Sequence, residues 1–359
     1  MEPEASTPVP RVVAWEVTRA CGLACVHCRA VAQPNPHPNQ LTTQEGLKLI
    51  DDIASFSKPL LILTGGDPLM RPDLFQLAAH ATERGLPVVV SPSGTQVNAD
   101  IVARLKAAGV KAISVSIDGP NPEVHDSFRQ VPGAFDAVIK SLDFARKGGL
   151  PFQVNTTVCQ HNINYLDEIL ALVKSLGAIA WDVFMLVPTG RGKVEMELTP
   201  EQYENTLHYL YDMAARNEIQ IKVTCAPHYS RVVRQRGLHA IEHSEAEKHG
   251  HAKSTGRPSR AGARGCMAGN GFCFVSHVGD VCGCGYLPIP AGNIREKSFR
   301  EIYQNSELFI TLRNADLLEG KCGCCEFRYV CGGCRARALA AGLGLMGEEP
   351  YCIYQPRGS

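Results

Sequence analysis

Six short apolar runs, each leading into an amphipathic segment or a polar loop, set the tightest limit on how this chain can fold. The runs lie at 12–18, 60–63, 87–91, 112–117, 152–158 and 180–186. Segments 41–56, 73–84, 99–108, 135–147 and 164–176, between them, carry apolar residues at helical spacing. The first of these opens on a Thr42-x-x-Glu45 capping box, and Gly85, Gly109, Gly148 and Gly177 stand where helices end. Short, continuously apolar runs such as 60–63 suit strands buried on both faces of a parallel sheet. Right-handed strand–helix–strand crossovers of this regularity build an open doubly wound sheet or a barrel. None of the strand-to-helix turns carries Gly-x-Gly-x-x-Gly, which favours an α/β fold of the partial (β/α)6 TIM-barrel type.

Barrels of this kind collect ligand sites at the C-terminal strand ends. Here those ends read Thr64-Gly65-Gly66-Asp67-Pro68, Ser91-Pro92-Ser93-Gly94-Thr95, Ser116-Ile117-Asp118-Gly119, Asn155-Thr156-Thr157 and Pro188-Thr189-Gly190-Arg191-Gly192. After the first run comes Cys21-x3-Cys25-x2-Cys28. Three close thiolates can ligate three irons of a [4Fe–4S] cluster and leave the fourth iron without a protein ligand. Thiols at short spacing also hold zinc, but zinc sites usually come as Cys-x2-Cys pairs, and the next cysteine is Cys159.

No apolar run approaches the roughly 20 residues that cross a bilayer. The N-terminal MEPEASTPVPR is acidic and Pro-rich where a signal peptide would be basic and then apolar. The expected location is therefore the cytoplasm, where thiols stay reduced, so the fifteen cysteines read as metal ligands or buried thiols. Lys+Arg and Asp+Glu are equal at 36 each, which gives no field to recruit nucleic acid or an anionic membrane.

The cysteine loop after a strand resembles the signature of the radical S-adenosylmethionine enzymes. That resemblance implies a [4Fe–4S] cluster on Cys21, Cys25 and Cys28, whose open iron chelates the methionine moiety of S-adenosylmethionine, and one-electron cleavage to a 5′-deoxyadenosyl radical. The aromatic residue that usually precedes the last cysteine is His27 here. Gly65-Gly66-Asp67-Pro68 resembles the family's GGEP motif, with Asp67 for Glu, which implies that the glycine backbone approaches the methionine ammonium. Ser116 and Asp118 match the family's SxDG strand end near the methionine and ribose groups. Arg129 matches an arginine that pairs with the methionine carboxylate, a task suited to its planar fork. A plain surface ion pair of Asp118 with Arg129 is the bland alternative.

Beyond 190 the pattern changes. Residues 199–216 read as a helix with Pro200 at its first position, 219–224 as a strand, and 231–236 as a basic helix-like run. Residues 237–264, rich in His, Lys, Arg, Ser and Gly, read as a mobile or disordered insertion whose His239, His243, His249 and His251 are solvated loop histidines, the alternative being ligands for a metal or an anionic substrate. The expected organisation is a flexible tail at 1–10, the barrel at 11–190, a connecting segment at 191–265 and a cysteine-rich domain at 266–359.

In that last part Cys266-x12-Gly279-x4-Cys284 and Cys322-x2-Cys325-x5-Cys331-x2-Cys334, followed by Cys352, resemble the SPASM extension, which holds one or two auxiliary iron–sulfur clusters. By order, the resemblance implies an outer set of Cys322, Cys325, Cys331 and Cys352 and an inner set of Cys266, Cys273, Cys284 and Cys334. Cys282 and Cys324 are left as free thiols, with Cys282 alternatively substituting for a neighbour, and residues 299–313 read as one short helix. Zinc-ribbon pairs are the alternative for this region.

The strings VAWEVTRAC, LVPTGRG, TCAPHYSRVVRQR, GFCFVSHVGDV, CGYLPIPAGNIRE and CGGCRARA are similar to a narrower group, the haem synthases of the siroheme-dependent haem pathway. This implies oxidative decarboxylation of two propionates of iron-coproporphyrin III to vinyl groups, with an external low-potential electron donor and an electron acceptor. Arg191, Lys193, Arg231, Arg234 and Arg236 are candidate anchors for the substrate carboxylates, and His228 and Tyr229 candidates to reach the iron or donate a hydrogen bond. The runners-up are a SPASM-type maturase of a ribosomally made peptide, another tetrapyrrole-modifying enzyme of the same superfamily, and a non-catalytic electron carrier.

Overall fold

The computed structural model of the chain describes residues 7–237 and 265–357. The expected insertion, apart from Gly237, lies outside the described residues, as does the tail up to residue 6. One sheet organises everything else. It runs β10-β9-β8-β1-β2-β3-β4-β5-β6-β7, from β1 (Val12–Thr18), β2 (Leu60–Gly65), β3 (Val88–Val90), β4 (Ala112–Ser116), β5 (Phe152–Val158), β6 (Ala180–Met185) and β7 (Gln220–Thr224) to β8 (Phe272–Val275), β9 (Asp280–Cys282) and β10 (Pro290–Asn293).

The first seven strands pair in parallel, in sequence order. Their connecting helices are α1 (Thr43–Phe56), α2 (Leu74–Glu83), α3 (Ala99–Ala107), α4 (Pro122–Arg129) with α5 (Ala134–Lys147), α6 (Leu166–Leu176) and α7 (Pro200–Ala215). The Thr42–Glu45 capping box forms, and a second one forms from Thr199 to Gln202 with Pro200 at the first turn. These caps satisfy backbone N–H groups that the first turn leaves without partners.

Two features differ from the sequence expectation. The sheet continues across the expected boundaries near 190 and 265, because β7 adds in parallel beside β6 and β8 adds in parallel beside β1. β2 and β5 are also not buried equally on both faces, whereas β1 and β6 are buried nearly throughout. Leu61 and Leu63 are fully buried while Leu60, Ile62 and Thr64 between them are only half-buried. With two-residue periodicity, one face of every central strand packs Val13, Trp15, Leu61, Leu63, Val154, Trp181 and Val183 into the apolar core. The other face presents Glu16, Thr18, Thr64, Ser114, Ser116, Gln153, Asn155, Thr157 and Asp182, a polar lining that a ligand-holding barrel needs and a two-sided packed sheet would not tolerate.

α8 (Tyr229–Arg236) follows β7. The single helix expected near 299–313 is two, α9 (Phe299–Asn305) and α10 (Glu307–Arg313), because Ser306 ends one and caps the other through Phe309 N–H. α11 (Gly320–Cys324) and α12 (Arg335–Ala340) complete the described chain. Among the described residues no helix is long and apolar enough to cross a membrane.

Candidate metal centres

The loop after β1 is closed at its neck. Cys21 N–H donates to Gln33 O at 2.8 Å, Gln33 N–H donates to Arg19 O at 3.0 Å, and Ala20 bridges Gln33. Its far side docks on the end of α4, where Ala24 and Val26 N–H donate to Arg129 and Phe128 carbonyls at 3.3 and 3.1 Å. The end of β2 forms its floor. Gly66 N–H meets Thr18 O at 2.8 Å and Asp67 N–H meets Ala20 O at 2.7 Å. A Cβ on Gly65 would stand 2.5 Å from Thr18 O, and one on Gly66 2.5 Å from Ala20 O, so the two glycines are what lets strand and loop touch.

The loop thereby packs Cys21, Cys25 and Cys28 together in one small cluster with Leu23 and Ala134. Leu23 N–H points at Cys21 Sγ (3.3 Å), Ala32 N–H at Cys28 Sγ (3.4 Å) and Arg129 Nη1 at Cys25 Sγ (3.5 Å). Burial pushes the Cys21 thiol up to about 11, against the Leu23 N–H, and the neighbouring Asp67, Cys25 and Cys28 charges push the same way. A thiol held in this way gives up its proton to a metal and not to solvent. Donors around the loop remain unspent. Among the described residues Arg129 Nε, Arg191 Nη2 and His27 Nδ1 are buried without a hydrogen-bond partner, and His27 feels both arginines. Buried donors are normally paired, so this surround fits a cluster with a polar, carboxylate-bearing ligand beside it.

The matched residues converge here. Asp118 and Arg129 form an ion pair, buried and not on the surface. Asp118 Oδ1 also accepts Thr157 N–H at 2.7 Å, and Asp118 N–H donates to His125 Nδ1 at 3.1 Å. Arg129 thus divides its guanidinium between Asp118 and Cys25 Sγ, leaving Nε. Asp67 is buried, its carboxylate accepting Ser93 Oγ (2.5 Å) and Leu69 N–H (3.0 Å); burial still raises its pKa. Ser116 ends β4 opposite Asn155. His27 stacks on Phe128 at 4.1 Å between ring centres, and Phe128 stacks on His161 at 5.0 Å, so the imidazole takes the aromatic position in the packing.

Arg191 is placed differently from the expectation of a substrate anchor. Its backbone N–H donates to Cys28 O (3.0 Å), Nε to Cys25 O (2.8 Å) and Nη1 to Ala32 O (3.3 Å). It is a clamp on the cysteine loop. Arg231 is likewise committed: it pairs with Glu204 at 2.5 Å and donates to Gln235 at 2.7 Å. His228 is fully buried at the start of α8, neither ring nitrogen has a partner among the described residues, and burial lowers its pKa to about 4. Tyr229 is half-buried in the first turn of α8.

Sequence reasoning passed over a charged group on the polar face of the sheet. Glu16, fully buried in β1, accepts from Arg29 Nη2 at 2.6 Å, Arg19 Nε at 3.1 Å and His277 Nδ1 at 2.8 Å. Burial raises its pKa, but Arg29, His277 and Arg19 outweigh that and hold it down to about 2. Arg29 lies over the Phe274 ring at 4.5 Å and reaches Gly285 O at 3.3 Å. Asp182 in β6 accepts from Thr224 Oγ1 at 2.7 Å. The signal was a lone carboxylate inside an apolar run, Val12-Val13-Ala14-Trp15-Glu16-Val17 and Ala180-Trp181-Asp182-Val183.

The C-terminal cysteines separate into groups. Cys322, Cys325, Cys331 and Cys352 line one cavity with Arg231, Lys321 and Glu349. Glu349 N–H points at Cys322 Sγ (3.3 Å) and Phe327 N–H at Cys325 Sγ (3.4 Å), donors of the kind that tune cluster sulfurs. This is the expected outer set. Of the inner set, Cys266, Cys284 and Cys334 lie within electrostatic reach of one another. Cys273 stands apart. It pairs with Val13 on β8, is fully buried in the apolar core, and has Arg313, Cys282 and Tyr303 as its ionisable neighbours. Cys282 is buried beside Ala14 and Phe274, and Cys324 is exposed.

Known proteins with the same features bear on this geometry. The Radical SAM superfamily profile matches residues 15–174, and that of SPASM, an iron–sulfur cluster-binding domain, matches 266–326. The AdoMet-dependent heme synthase of Methanosarcina barkeri is 49% identical over 98% of this chain and 99% of its own length. That of Oleidesulfovibrio alaskensis is 45% identical over 99% of this chain and 90% of its own length. Streptococcus suis SuiB bound to S-adenosylmethionine superposes with a TM-score of 0.74 at 14% identity, over 97% of this chain and 78% of that one, a likeness of fold. The chain belongs to the radical SAM enzymes with a SPASM domain, in the family that includes the AdoMet-dependent heme synthases.

Proposed function

We propose that this enzyme converts two propionates of iron-coproporphyrin III to vinyl groups, giving haem b. The observation that supports this best is the 45–49% identity, over nearly the whole chain, with enzymes named heme synthases. In this reading Cys21, Cys25 and Cys28 hold the cluster, and Gly65, Gly66, Asp67, Ser116, Asp118 and Arg129 line the place of S-adenosylmethionine. Bound together, cluster and S-adenosylmethionine supply hydrogen-atom abstraction, the step no side chain can perform.

The chain's own residues do the rest. Arg191 and the Gly65-Gly66 floor fix the loop; the His27–Phe128–His161 stack and the apolar pocket keep water from it. The unspent Arg129 Nε and Arg191 Nη2 offer charge-assisted donors to a carboxylate. Each vinyl group requires one hydrogen atom from the propionate β-carbon, departure of carbon dioxide, and removal of one electron. The reaction therefore needs an external low-potential donor, to reduce the enzyme before each turnover, and an electron acceptor, and it belongs in the reducing cytoplasm.

The test is anaerobic incubation of the reduced, reconstituted protein with S-adenosylmethionine and iron-coproporphyrin III. The expected product has lost two carbon dioxide molecules and four hydrogens, with two 5′-deoxyadenosine formed per porphyrin. Deoxyadenosine without any change in porphyrin mass would refute this substrate.

A further inference from the structure

We propose that Cys225, at the end of β7, is the fourth protein ligand of the inner auxiliary iron–sulfur cluster, with Cys266, Cys284 and Cys334, and that Cys273 is a core thiol with no metal. This rests on the auxiliary-cluster reading of the SPASM domain and is independent of the substrate.

Four contacts, one from a side chain and three between backbones, bring the four cysteines to one place. Arg337, in the helix that begins directly after Cys334, donates from Nη1 to Cys225 O at 3.0 Å. Pro227 O lies 2.5 Å from where a Cβ on Gly265 would stand, so the segment after Cys225 lies flat against the residue before Cys266. Cys266 N–H in turn donates to Cys331 O at 3.1 Å, and Gly269 N–H to Gly283 O at 3.2 Å, which ties the Cys266 segment to the approaches of Cys334 and Cys284. Cys225 also feels the charges of Cys334, Cys284 and Cys266, all three of its proposed partners.

The backbone at Cys225 is unusual in itself. Its φ is +62°, a left-handed conformation that costs a residue with a Cβ about 1 kcal/mol or more. Where the chain leaves β7, this turn carries the thiol side chain off the strand's line and toward the other three. Cys273 has no such freedom. In β8 its side chain alternates with that of Phe274, which faces Ala14 and Cys282; it therefore projects to the opposite, helix-covered face, beside Tyr303 and Arg313. The order of cysteines along the chain assigns Cys273 to the inner set because it follows Cys266 so closely. Strand alternation takes it out and the end of β7 supplies the replacement. Each thiol that joins the cluster releases its proton on binding.

The experiment compares full-length Cys225→Ser, Cys225→His and Cys273→Ser with the wild type, all reconstituted anaerobically, by iron and sulfide content and by electron paramagnetic resonance after reduction. Cys225→Ser is expected to lose about four irons per chain, or to keep them with the signal of one cluster altered. The signals of the other clusters in the same sample report folding. Cys225→His, whose imidazole also ligates iron, is expected to retain the iron with the resonance signal of one cluster altered, since histidine in place of cysteine changes a cluster's electronic properties. Cys273→Ser is expected to match the wild type in both readouts. Unchanged iron and spectra in both Cys225 variants would overturn the proposal, as would loss of one cluster in Cys273→Ser. Wild-type protein with only about four irons would overturn it together with the auxiliary-cluster reading.

Discussion

Arg337 Nε lies 2.9 Å from Glu197 Oε1, and both residues are buried. Glu197 comes from the segment after β6 and Arg337 from the C-terminal domain, so the pair fastens the cysteine-rich part to the open end of the sheet. The same guanidinium donates to Leu186 O (2.8 Å) and Cys225 O (3.0 Å), pairs with Glu349, and lies over the Tyr203 ring at 5.0 Å. Glu349 in turn accepts Cys334 N–H at 2.7 Å.

Removing this arginine leaves two carboxylates buried without their partner. Arg337→Ala is expected to destabilise the protein by about 3–5 kcal/mol, the usual cost of breaking a buried pair from one side. Arg337→Lys keeps the charge but not the fork that serves several acceptors at once, and should recover only part of the loss. Anaerobic urea unfolding of the three proteins measures both. A shift of under 1 kcal/mol in the alanine variant would show that the joint is not where stability resides.

Alanine at Cys21, Cys25 or Cys28 is expected to abolish formation of 5′-deoxyadenosine while leaving the C-terminal clusters in place. Iron should fall by about four atoms per chain and no further. The separation follows from the structure, since this loop is walled by β2, α4 and Arg191 and shares no thiol with the C-terminal groups. Iron analysis with product chromatography decides it.

Glu16 links acidity to stability. Its folded pKa of about 2 lies below its ordinary value of 4.5, so the stability it contributes is present above pH 4.5 and is lost as pH falls toward 2. The shift corresponds to about 3 kcal/mol. Glu16→Gln should therefore be less stable than the wild type by roughly that amount at pH 7, and the gap should close between pH 4.5 and 2. Denaturation of the reduced, cluster-free proteins across this range checks the sign: a gap that widens on acidification would contradict it.

Much of this could be read from the sequence because the features concerned are local. A capping box at Thr42–Glu45 and Pro200 at a first turn act within a turn of themselves, and both formed; three thiols within eight residues pack together for the same reason. What could not be read depends on partners distant in the chain. Arg191 looked like a free cation until the fold brought Cys25 O to its Nε, 166 residues away. Helix breakage at Ser306 was hidden because a serine can sit within a helix or cap one. Cys225 is isolated in sequence, and only the parallel addition of β7 beside β6 and the return of the chain at Gly265 bring it to the other thiols. Conversely, Cys273 joins the inner set by order along the chain, while its β8 register with Val13 sets it in the apolar core.

Gly190, in the segment that follows the sixth strand, packs directly against the cysteine loop. Its φ is +66°, which glycine adopts freely and a residue with a Cβ does not. A Cβ there would also fall against the carbonyl of Arg29 and 2.5 Å from that of Cys28, and backbone at both ends leaves neither side an easy way to yield. Gly190→Ala should therefore cost about 2 kcal/mol or more, and the strain should be relieved by moving residues 28 and 29, with Cys28 carried out of register with Cys21 and Cys25. The N-terminal cluster should then be lost to a chelator at least about tenfold faster than in the wild type, a factor equivalent to about 1.4 kcal/mol, while the C-terminal clusters are lost at the wild-type rate. Time courses of iron release, followed by the spectra of the individual clusters, separate the two. Equal rates for the N-terminal cluster in both proteins would mean that the loop keeps its shape without this contact.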